Sequence, residues 1–183
     1  MMKSDKLEET ELAMLIGKIT MEWNLVQDAV RYCFLMTMSG DVKAAAAILD
    51  AIKSDDTQRN VTLAAIQAAF DADDQIALRT KAAALLNSLG ELSGKRNAFV
   101  HSSWTREGDG PIEVSAFLKK PHGSIHGMAP IAEGVETLRR LIDALDQVRN
   151  LIAEIQSAKR LQAHPPQSNP TDSADQARNK DAT

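Results

Sequence analysis

The sequence predicts a mainly α-helical fold: an up-and-down helical bundle with a small β-hairpin or irregular insertion before its last long helix. Three observations lead there. Apolar residues recur every three or four positions along three long stretches, which is the spacing of one helix face. Aromatic residues are only 4% of the 183 positions and alanine is abundant, a balance that favours helix over sheet. Glycine and proline gather with short alternating apolar and polar runs between residues 105 and 132, where a helix would be interrupted.

Each element is read from local spacing. From about Leu7 to Met38, the positions Leu12, Leu15, Ile16, Ile19, Trp23, Val26, Val30, Cys33 and Phe34 form one stripe, and Ser39-Gly40-Asp41 ends it. Gly40 suits a left-handed C-terminal position, and Asp41 suits the N-cap of the next helix. "VKAAAAILDAI" is a second helix ending near Lys53, and "SDDT" offers capping side chains before a third, roughly Gln58 to Phe70. A fourth carries Ile76, Leu78, Ala82, Leu85, Leu86, Leu89 and Leu92 and runs into "GELSGKRNAFVHSSW". "REGDGP" and "IEVSAFLKK" then read as hairpin or irregular chain. The last long helix spans about Glu133 to Lys159, marked by Val135, Leu138, Leu141, Ile142, Leu145, Val148, Leu151, Ile152 and Ile155. The pattern gives one helical domain over 1–160, with a polar, proline-containing tail over 161–183 that cannot repay its ordering entropy and is expected to be disordered.

Composition narrows the function classes. A net charge of −4 gives no global nucleic-acid surface, so any RNA contact has to be local. The single cysteine, Cys33, cannot form an internal disulfide and is expected to be a buried, inert thiol. No signal-peptide core and no bilayer-length apolar stretch is present, so a cytoplasmic protein without membrane contact is expected. The four histidines form no helical HxxxH or HExxH pair, and no metal or cofactor is expected. "GELSGKR" lacks the Ser or Thr that a phosphate-binding loop needs for magnesium, and it comes after helix rather than strand.

One stretch breaks the pattern. On the wheel of the fourth helix, Leu78, Leu85, Leu89 and Leu92 share a face, and Arg96 falls almost at its centre with Asn97 on its edge. A guanidinium there cannot deprotonate and needs an acid or several carbonyls. Glu22, about 60° from the centre of the first helix's stripe, is the expected partner. His101 is turned from Arg96 by about 140° and displaced by about 7.5 Å on a regular helix. The two converge only if the helix ends between them, if Arg96 reaches around its own backbone, or if a second subunit supplies the complement.

"KRNAFVHSSW" is similar to the signature of the HEPN superfamily, helical-bundle proteins defined by an arginine and a histidine with four to six residues between them, often with asparagine after the arginine. Arg96, Asn97 and His101 match that pattern, and Glu22 corresponds to an acidic residue common in the family's first helix. The resemblance implies a homodimer and a metal-independent endoribonuclease, of toxin or defence type, that cleaves RNA by 2′-hydroxyl attack in a composite dimer site. It also admits a protein antitoxin or regulator as partner. His101 would move protons, Arg96 would hold the phosphate, Asn97 would orient it and Glu22 would fix the arginine, with Ser102 supporting the helix end and Lys95 widening the phosphate rim. Trp104 is expected to anchor the core or hairpin rather than to stack on a base. The tyrosine that some toxin members carry two residues after the histidine is replaced by Ser103, so that modification is not expected. The alternative implied by the family is a noncatalytic dimeric interaction or nucleotide-binding module.

Overall fold

A computed structural model gives the fold, describing residues 2–105, 113–115 and 130–164, with side chains for 9–102, 104 and 131–164. Among the described residues five α-helices alternate in direction. α1 (Met2–Thr37) buries the predicted stripe from Leu12 to Phe34, with Ile19, Trp23, Val26, Val30 and Cys33 at its centre. It stops where Gly40 takes a φ of 123°, in the region that favours glycine. Asp41 caps α2 (Val42–Ala51), its carboxylate accepting from the backbone N–H groups of Lys43 at 2.8 Å and Ala44 at 3.2 Å. α2 returns along α1: Ala45 and Leu49 pack on Phe34, and Asp50 pairs with Arg31.

Ser54 caps α3 (Asp55–Ala69), accepting from the Thr57 backbone N–H at 3.3 Å. The third helix therefore starts three residues before the expected Gln58, because Ser54 and not a later side chain takes the cap. That places Asp55 and Asp56 in its first turn, where the macrodipole favours acids. Asp55 also accepts from the Trp23 indole N–H at 3.1 Å. A short 3-10 turn, Asp73–Gln75, leads into α4 (Ile76–His101). Beyond it, β1 (Ser103–Thr105) pairs antiparallel with β2 (Glu113–Ser115), in the register Ser103 to Ser115, Trp104 to Val114 and Thr105 to Glu113. The expected hairpin is thus present in its paired residues, and 106–112 and 116–129 lie outside the described residues.

α5 (Pro130–Ala163) is longer at both ends than the spacing predicts. Proline is favoured at the first helical position, so 130–132 belong to the helix and not to the insertion. At the other end Leu161 to Ala163 continue the helix, which moves the expected tail boundary; residues 165–183 lie outside the described residues.

Cross-helix pairs fix the directions. Lys81 meets Glu154, Arg140 meets Glu91 at 3.6 Å and Lys95 meets Glu133 at 3.0 Å, so α4 and α5 are antiparallel. The Gln156 amide donates to the Met36 sulfur at 3.8 Å and Lys159 to the Met38 carbonyl at 3.0 Å, while Gly134 packs on Leu15. The first and last helices therefore run parallel, side by side. A Cβ at Gly134 would collide with Leu15 and press on Phe99 at 3.2 Å, so this glycine sets how closely α1, α4 and α5 approach. One continuous core joins Leu15, Trp23, Ile66, Phe70, Leu89, Phe99, Leu141, Val148 and Ile155.

Cys33 tests that core. Burial pushes its thiol up from 9.0 to about 12. The folded state holds a proton that the unfolded chain loses, so the contribution is complete below about pH 9 and is lost as pH rises toward 12. The stability advantage of the wild type over Cys33→Ala is expected to shrink by about 1.4 kcal/mol per pH unit in that window. Urea unfolding of both proteins from pH 8 to pH 11 checks it, and a constant difference would contradict it.

Candidate functional site

The residues singled out by the sequence sit on the last two turns of α4, at the pole where α5 begins. Arg96 lies between the buried Leu92 and Phe99 on the inward stripe and is half-buried. Its Nη1 donates to the Asn97 side-chain oxygen at 2.7 Å, so the two neighbours form one polar unit. Its Nε is buried without an acceptor among the described residues. An unmet buried donor of this kind costs about 1–3 kcal/mol.

Glu22 is not the partner. Among the described residues it makes no hydrogen bond or ion pair with Arg96, which corrects the expected interior pair. The reason is helix register. Phe99 and Lys95, on either side of Arg96, pack at Gly134 and Glu133, and Gly134 stands against Leu15. Arg96 thus lies near the level of Leu15, and Glu22 is seven residues, about 10 Å, farther along α1.

Lys95 is tied down rather than free. Its Nζ donates to Glu133 at 3.0 Å, with the glutamate side chain only 12% exposed. Sequence reasoning passes over Glu133. An antiparallel α4/α5 pair brings the end of one helix to the start of the other, and an acid in that first turn is the signal that could have found it.

His101 is the last residue of α4 and is exposed, with no partner among the described residues. Because α4 is continuous to His101, the first of the three routes to convergence, a helix break between Arg96 and His101, does not occur. Ser102 turns to extended backbone at φ −81° and ψ 146° and ends the helix; no hydrogen bond from its side chain reaches the other site residues among those described.

Trp104 does what was expected of an anchor. Its indole N–H donates to the Phe99 carbonyl at 3.1 Å, filling one of the acceptors that a helix end leaves open. Its ring stacks on Phe99 with centroids 5.5 Å apart and planes 25° apart. Buried Phe99, clamped from both sides, holds the last turn of α4 and hence the direction of His101.

Among the described residues no group of three or more His, Cys, Asp or Glu side chains is placed to hold a metal ion, and no helix is long and apolar enough to cross a membrane. His122 and His126 lie outside the described residues. The chain matches no protein-family model, no curated protein and no solved structure. The class the fold defines is an all-α bundle, and the functional reading rests on the pole of α4 alone.

Proposed function

We propose that the chain is a metal-independent endoribonuclease of HEPN type, a toxin or defence effector whose catalytic unit is a dimer. The observation that carries this reading is His101 at the end of α4, exposed and without a partner among the described residues, one and a half turns beyond an arginine already oriented by Asn97. Histidine is the side chain suited to proton transfer near neutral pH.

The chemistry balances without a metal. The 2′-oxygen attacks phosphorus and the bond to the 5′-oxygen breaks, giving a 2′,3′-cyclic phosphate and a free 5′-hydroxyl. One His101 takes the 2′-hydroxyl proton, and the protonated imidazole of a second copy gives a proton to the leaving 5′-oxygen. Arg96 offers its planar fork to the charge on the transition state, and Asn97 holds that fork in place. Since Arg96 and His101 point about 140° apart on one helix, the second copy supplies the facing half of the site.

A noncatalytic dimeric interaction module is the second reading. What favours it is the missing contact between Glu22 and Arg96, which leaves the arginine without the acid that would fix it.

The test is cleavage of mixed RNA substrates in EDTA by the wild type and by His101→Ala. The wild type is expected to leave cyclic-phosphate 3′ ends, and the variant to be slower by about 10²–10⁴-fold with an unchanged melting temperature. Intact RNA with both folded, dimeric proteins would transfer the weight to the interaction module.

A further inference from the structure

The outer face of α1 carries an apolar stripe that the bundle does not use. Met14, Met21, Leu25 and Tyr32 are 56%, 67%, 47% and 44% exposed. At about 100° per residue they lie within about 40° of one another, turned some 145° from the buried stripe. Val135 and Ile142 of α5 are also about half exposed. Gly134 stands beside Leu15 and Gln156 beside Met36, so Val135 falls at the level of Leu15 to Ile16 and Ile142 at the level of Glu22 to Trp23. The six side chains border the shallow groove between these two parallel helices.

The stripe is symmetric along its length. Met14 and Tyr32 are equidistant from Trp23, and so are Met21 and Leu25. A two-fold axis perpendicular to α1 at Trp23 therefore sets Met14 against Tyr32 of a second copy and Met21 against Leu25 of that copy. The same axis carries α5 to the same side of the contact, where Ile142, level with the axis, meets Ile142 of the second copy. The charges at the edges also fit: the axis brings Lys18 level with Asp28 of the second copy, so neither meets a like charge. A parallel pairing would instead set Val135 and Ile142 against the polar edge formed by Asn24 and Asp28.

We infer that this α1/α5 face is a self-complementary, two-fold interface and that its occupant is a second copy of this chain, packed antiparallel about Trp23. Six large, half-exposed side chains amount to roughly 600 Å² per copy, the top of the range for the largest patch on a monomer. With the flanking small residues this approaches the ~800 Å² per partner that stable interfaces bury. The axis leaves the two Arg96 residues about 24 Å apart along the helices and the ends of the two α4 helices farther still, so this contact is separate from any that completes the Arg96 and His101 site. Its test is accordingly independent of RNA cleavage.

The experiment is cross-linking with a short bis-maleimide, together with mass measurement by light scattering. Cys33 is buried and its thiol stays protonated, so the natural cysteine does not compete. Ile142→Cys is expected to cross-link to itself. Met14→Cys and Tyr32→Cys are expected to cross-link when mixed, and neither is expected to do so alone. Leu25→Glu is expected to halve the measured mass, with an unchanged circular-dichroism melt. A wild type that is monomeric at 100 µM, a Met14→Cys protein that cross-links to itself, or a Leu25→Glu protein whose mass equals that of the wild type would each overturn the proposal.

Discussion

Trp23→Ala is expected to lower the unfolding free energy by about 4 kcal/mol, the range for removing a large aromatic ring from a core. Trp23 is 1% exposed and belongs to the core cluster that ties α1 to the other long helices. Its indole N–H is also the bond that holds Asp55 and so the start of α3. Two causes are thus combined, and Trp23→Phe helps to separate them, because it keeps one aromatic ring in the core while it removes the donor with the smaller half of the indole. The phenylalanine variant is expected to lose about 1–2 kcal/mol. Urea unfolding of the three proteins decides the matter, and equal losses in both variants would mean that the link to Asp55, and not the ring, holds the bundle.

Arg96→Lys is expected to slow RNA cleavage by about 10²–10³-fold while leaving the unfolding midpoint close to that of the wild type. Lysine preserves the charge and the flexible stem, which can run along the same half-buried path. It does not preserve the planar fork, nor the arrangement in which one arm donates to Asn97 while the other remains for a phosphate. Single-turnover cleavage in EDTA, measured beside the unfolding curve, is the appropriate assay. Wild-type cleavage by the lysine variant would remove the guanidinium from the proposed chemistry.

Sequence pattern and fold agree where one helix determines the answer. The stripe on α1, the break at Gly40 and the cap at Asp41 depend on neighbours within a few residues and are read directly, whereas the start of α3 is read three residues late because "SDDT" offers several caps and Ser54 is the one used. Spacing underestimates α5 because Pro130 permits an early start and because Leu161, 62% exposed, does not continue the buried face. Glu22 shows the deeper limit. Its angle on α1 is a local property, but pairing with Arg96 also needs both residues at one height. That height is set by Gly134 against Leu15, Lys95 on Glu133 and the Phe99 clamp, contacts between helices far apart in the chain. The Arg96, Asn97 and His101 arrangement is legible because all three stand on one continuous helix.

The parallel pairing of α1 and α5 also governs how this chain can assemble. Its neighbours in sequence form antiparallel turns that close quickly, but the contact between Leu15 and Gly134, or Met36 and Gln156, joins segments about 120 residues apart. Contacts so distant slow folding, because the entropy of closure is lost before the packing is gained. As the chain leaves the ribosome, Leu15, Ile19 and Trp23 must wait with one flank uncovered until residues beyond 130 emerge. A nascent helix in that condition is a natural substrate for chaperones, and the interval before α5 docks is when this protein is most exposed to aggregation.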